Sequence, residues 1–125
     1  MKRILIIAGM IPLYLSLRGA EPDYEKFVKA LTWIESRHNP FAVGVNQDHG
    51  LFQITPIRLK DYNQRTGSKY SLADCFDVNI SRKIFDYYSA GLPFEVAARR
   101  WNGGPAGCRM KSTIHYWDRI IERMY

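Results

Sequence analysis

Residues 23–42 read DYEKFVKALTWIESRHNPFA. Tyr24, Phe27, Val28, Leu31 and Ile34 recur at steps of three and four, which is one apolar face of an amphipathic helix, and Asp23 stands where its N-cap would be. That helix should stop near Ser36, because Asn39 precedes Pro40 and is pushed out of the helical region. Glu35 therefore closes the helix, directly after Trp33 and Ile34. A carboxylate at a helix C-terminus meets the negative end of the macrodipole, and apolar neighbours desolvate it, so both effects oppose ionisation. A carboxyl that keeps its proton near neutral pH has the property a general acid needs. The plainer alternative is a surface glutamate at an unfavourable helix end, paired with Arg37.

Working outward, Phe41 to Gln53 has glycine and asparagine positions and no helical period, so it reads as a loop with at most a short β-ribbon. Thr55 followed by Pro56 opens a second helix, through about Arg65, which Gly67 ends. Ser71 caps a short turn. Val78, Ser81, Ile84, Phe85 and Tyr88 then form another helical stripe before Gly91. Pro93 begins a compact helix to about Trp101, Asn102 to Cys108 is a turn-rich loop, and Ser112 caps a final helix through Met124. Five helices joined by short loops predict a mainly α fold.

Upstream, Lys2 and Arg3 precede an apolar run from Ile4 to Leu15. The run is short for the roughly 20 residues that span a bilayer, so residues 1–20 read as a secretory signal peptide, with an N-terminal membrane anchor as the alternative. Residues 21–125 are then the functional domain, exported to the periplasm or cell envelope. The whole chain carries 18 basic and 12 acidic residues, a net +6; without residues 1–20 the balance is 15 against 12. That modest excess, with no basic run and no basic-aromatic RNA motif, argues against nucleic acid as a partner. There is no phosphate-binding glycine loop and no nucleophile elbow. His38, His49 and His115 lack metal-ligand spacing, so neither a metal nor another cofactor is expected. In an exported chain Cys75 and Cys108 are expected to pair, closing a loop of about 34 residues worth about 2–4 kcal/mol, with two buried thiols as the alternative.

Three segments acquire meaning together: Glu35-Ser36-Arg37-His38-Asn39-Pro40-Phe41-Ala42, Gly50-Leu51-Phe52-Gln53-Ile54 and Trp101-Asn102-Gly103-Gly104-Pro105. They resemble the signatures E-S-x-x-N-P-x-A, G-L-M-Q and A-Y-N-x-G-P of the lytic transglycosylase family, in that order. Phe76 to Ile80 and Thr113 to Tyr116 resemble two further elements of it. The resemblance implies a small lysozyme-like helical domain of the goose-type-lysozyme-like fold. It makes Glu35 the catalytic acid/base, puts Gln53 and Asn102 on the floor of a saccharide groove, and has Ser36 support the helix end. The implied reaction cleaves the β-1,4 bond between N-acetylmuramic acid and N-acetylglucosamine in peptidoglycan glycan strands. It forms 1,6-anhydromuramic ends and needs no cofactor.

The chain departs from the family at several positions. Gly44 stands where a serine is common, Phe52 replaces methionine, and Trp101 replaces the tyrosine whose hydroxyl could bond the acid; whether Tyr116 supplies that hydroxyl is open. Asp48 opens a second reading, because Asp48-His49-Gly50-Leu51-Phe52-Gln53-Ile54 also resembles the strand of animal lysozymes that carries a second carboxylate. A muramidase hydrolysing with Glu35 and Asp48 is that alternative; an ordinary aspartate in an Asx-turn before Gly50 is the preferred one. A third reading is a non-catalytic wall-binding module, or one that assembles with envelope-spanning secretion or conjugation machinery. Among the aromatic residues, Trp101 beside the glycine-rich loop has the best case for stacking on a sugar, while Tyr88 and Trp117 fall on core stripes. Arg99, Arg100, Arg109 and Lys111 read as a solvated basic edge around the same loop.

Overall fold

The computed structural model describes residues 22–125. The expected signal or anchor at residues 1–20 lies outside them. Among the described residues five helices follow in order: α1 (Pro22–Ser36), α2 (Pro56–Thr66), α3 (Val78–Ser89), α4 (Phe94–Gly103) and α5 (Lys111–Met124). Two 3-10 turns, Leu72–Phe76 and Gly107–Arg109, precede α3 and α5. Among the described residues there is no strand; the loop after α1 makes only the antiparallel bridges Val43 to His49 and His49 to Ile54. The mainly α class with a vestigial ribbon is the predicted one.

The helix ends follow local chemistry. Thr55 Oγ1 accepts the Arg58 backbone N–H at 3.0 Å, Pro56 fills the first turn of α2, and Gly67 ends it at φ 71°. Ser71 and Asp74 form a reciprocal capping box on the first 3-10 turn, and Asp77 caps α3 through Asn79 and Ile80. Asp23 lies in the first turn of α1 rather than before it, where its charge still meets the positive helix end.

Two boundaries differ from the sequence reading. Helix α4 runs through Asn102 and Gly103, so Asn102 sits on its last turn rather than in the loop. Helix α5 begins one residue before Ser112, whose side chain does not cap it. Thr113 and Arg99 tie this entrance together instead: Thr113 Oγ1 donates to Gly107 O at 2.6 Å, and Arg99 Nη2 donates to Cys108 O at 2.9 Å.

The core is aromatic. Phe27, Leu31, Phe52, Ile54, Ile84, Phe85, Ala98 and Ile120 are fully buried, drawn from α1, the central loop, α3, α4 and α5. Phe27 stacks on Phe94 with ring centroids 4.6 Å apart, and Phe52 on Phe85 at 4.8 Å. Each such side chain contributes about 1.5–3 kcal/mol by leaving water. Phe52 is therefore a core residue, and it anchors the Gly50–Ile54 loop beneath the end of α1.

Cys75 and Cys108 are both free, which overturns the expected disulfide. Cys75 is sealed in the core while Cys108 is exposed on the second 3-10 turn, so the fold separates them by environment.

Candidate active site

Helix α1 presents Glu35 on its last turn, half-buried. Ser36 Oγ donates to Thr32 O at 3.1 Å and to Leu51 O at 2.8 Å, stitching the helix end to the Gly50–Ile54 loop. Ser36 thus holds the helix end that carries Glu35 against that loop. The chain then turns through two consecutive left-handed residues, Arg37 (φ 56°) and His38 (φ 60°). Each costs about 1–2 kcal/mol for a side chain other than glycine. Strain of that kind persists where surrounding structure over-determines it.

From α5, which packs along α1, Tyr116 reaches Glu35: its hydroxyl donates to Oε2 at 2.6 Å. Tyr116 is buried, and burial together with the adjacent carboxylate holds its own ionisation well above the usual range, so it remains a donor. A tyrosine hydroxyl thus reaches the acid from α5.

Burial pushes the Glu35 carboxyl up from 4.5 to about 7. The Tyr116 hydrogen bond opposes this, the negative charge of Asp48 adds to it, and the positive charge of Arg119 opposes it. Desolvation dominates. Arg119, one turn beyond Tyr116 on α5, was not singled out by sequence reasoning; the three-residue spacing that puts the two on one helix face was the available signal.

The central loop gathers Gly44, Asp48 and Gln53. Gln53 is left-handed at φ 54°, and its Nε2 donates to Gly50 O at 2.9 Å and Ala42 O at 3.2 Å. Its Oε1 faces Gly44, where a Cβ would lie 2.7 Å away. Gly50 holds φ 83°, and a Cβ on it would stand 2.1 Å from Cys75 O. Asp48 makes no Asx-turn, since the Gly50 N–H goes to Ala42 O at 2.8 Å. Asp48 Oδ1 is instead buried without a hydrogen-bond partner, and burial raises the Asp48 carboxyl above its ordinary value.

Trp101 is not placed to stack on a sugar. It is buried, its Nε1 donates to Phe52 O at 3.1 Å, and the Arg58 guanidinium lies 4.6 Å from its ring. Arg58 Nη2 also donates to the carbonyls of Arg100 and Trp101, both at 3.0 Å, capping the end of α4. Trp101 and Arg58 together fix that end, leaving Asn102 exposed on it. Arg99, read as part of a solvated edge, is mostly buried and bonds Glu95, Thr113, Cys108 and Met110.

Among the described residues no group of three or more His, Cys, Asp or Glu is gathered as a metal site would require, and no helix is long and apolar enough to cross a membrane.

A lysozyme from Meretrix lusoria is 38% identical over 53 residues, covering 42% of this chain and 43% of that protein. No solved structure matches. The transglycosylase SLT domain matches residues 19–88, a span that holds Glu35, Asp48 and Gln53 and stops before Trp101, Asn102 and Tyr116. With more than half its length matched, the chain belongs to the transglycosylase SLT domain family.

Proposed function

We propose that the chain is a peptidoglycan lytic transglycosylase in which Glu35 is the one catalytic acid/base. The observation that carries the reading is a desolvated Glu35, protonated up to about pH 7 and oriented by the Tyr116 hydroxyl. The protonated carboxyl gives its proton to the glycosidic oxygen as the β-1,4 bond breaks. The resulting carboxylate then takes the proton of the muramyl C6 hydroxyl, whose oxygen closes onto C1. A 1,6-anhydro end forms, water is not consumed, and Glu35 returns to its protonated state. A group titrating near 7 is suited to both steps because neither proton transfer is steeply uphill. Gln53 and Asn102 contact the glycan. The chain works outside the cytosol, in the periplasm or cell envelope, with residues 1–20 as signal or tether.

A hydrolase is the second reading, and Asp48 is what favours it. Its buried Oδ1 lacks a partner, its charge is felt by Glu35, and the partial match is to a lysozyme. Mass spectrometry of the products from purified wall separates the two. Anhydromuropeptides are expected; reducing ends as the main product would select hydrolysis, and an intact wall would leave a binding module.

A further inference from the structure

A cavity of about 320 Å³ opens at α1 and α5, lined by Lys26, Lys29, Ala30, His38, Arg123 and Met124. At 3.6 residues per turn, Lys26 and Ala30 lie on the side of α1 turned away from Glu35. This is a separate site. No carboxylate lines it, and among the described residues Lys26, Lys29 and Arg123 enter no ion pair.

One of its cations is held in place. The Arg123 guanidinium lies 4.1 Å over the Trp33 ring and that of Arg37 lies 5.0 Å from the same ring. A guanidinium held over an aromatic ring still has N–H donors to offer a planar or tetrahedral oxyanion. The left-handed turn at Arg37 and His38 puts Arg37 on Trp33 and His38 on the cavity rim. His38 Nε2 stands 2.8 Å from Lys29 O, an oxygen that only accepts, so Nε2 carries a proton and the ring is pinned. The strained turn thus serves this face as well as the end of α1.

We infer that the cavity binds a phosphate ester. Lys26, Lys29 and Arg123 bring three basic side chains to one small space, more than a single carboxylate balances, whereas a phosphate monoester carries about −1.5 to −2 at neutral pH. Ala30 and Met124 add an apolar wall for the organic part of the ligand. The volume is at the small end of ligand-sized cavities, roughly 300–1,000 Å³, and fits a headgroup or a phosphorylated small molecule rather than a polymer segment.

Calorimetric titration of the full chain with glycerol 3-phosphate, at ionic strength held with sodium chloride, tests the site. Saturable one-to-one binding is expected. It should weaken at least tenfold in Lys29→Gln combined with Arg123→Gln, and should be unchanged in Glu35→Gln, so that it stands or falls apart from the catalytic reading. Because Arg123 packs on Trp33, Lys26→Gln provides a second variant: several-fold weaker binding with an unaltered melting temperature. Sedimentation with phosphatidylglycerol and with phosphatidylcholine vesicles distinguishes a lipid headgroup from a free ester. Absence of saturation, equal binding of acetate, or full binding by the variants would overturn the inference.

Discussion

The Tyr116 hydroxyl donates a 2.6 Å hydrogen bond to Oε2 of Glu35 across 81 residues of sequence. That bond favours the ionised carboxylate, yet the carboxyl still rises to about 7 because desolvation outweighs it. Tyr116→Phe removes the opposing contribution, so the Glu35 value should climb further. The alkaline limb of the kcat/KM profile should move to higher pH, while kcat falls by about 10–100-fold as the carboxyl loses its orientation. A pH-rate profile of the variant checks both; a limb moving to lower pH would contradict the assignment.

Glu35 also makes stability depend on pH. Its folded value, about 7, lies above the unfolded value of 4.5, so its contribution is fully present below 4.5 and is lost as pH rises through 7. The loss amounts to about 3 kcal/mol. Glu35→Gln should therefore match the parent near pH 4 and exceed it by about 2–3 kcal/mol at pH 8, with cleavage abolished. Urea unfolding at the two pH values reads the difference.

Asp48 raises Glu35 through its charge. Asp48→Asn should shift the alkaline limb of activity to lower pH. If Glu35 acts alone, anhydro products persist at a rate within about tenfold of the parent, since no second carboxylate enters the steps. Collapse of turnover to background would identify Asp48 as the partner of a hydrolase.

Gly50 accepts no side chain. Its φ of 83° and the 2.1 Å approach of Cys75 O to a Cβ leave Gly50→Ala both strained and clashing. A loss of about 3 kcal/mol or more is expected, measurable by thermal denaturation. Activity should fall as well, because Gln53 is bonded to the Gly50 carbonyl.

The two thiols should differ in reactivity. Cys108 is exposed, whereas burial, and then the charge of Asp74, push Cys75 up to about 11. A thiol reagent should titrate one group per native chain and two after denaturation, and dithiothreitol should leave the melting temperature unchanged. One unreactive pair would restore the disulfide.

What chain order already made legible was local. The stripe from Tyr24 to Ile34, the Thr55-Pro56 start, the Gly67 stop and the Ser71 cap each depend on residues a few positions apart, and the structure keeps all of them. Glu35 was legible for the same reason: a helix end and its apolar neighbours are both near in sequence. At two positions where the chain order misled, a distant partner had intervened. Trp101 read as a sugar platform until Phe52 and Arg58 enclosed it, and Arg99 as a solvated edge until it bonded the entrance of α5. The pairing of Cys75 with Cys108 could not be judged from spacing, because spacing carries no distance. The same holds for the Tyr116 hydroxyl on Glu35, the partnerless oxygen of Asp48 and the cationic cavity at α1 and α5. Each depends on how helices from opposite ends of the domain pack, which side-chain order alone does not encode locally.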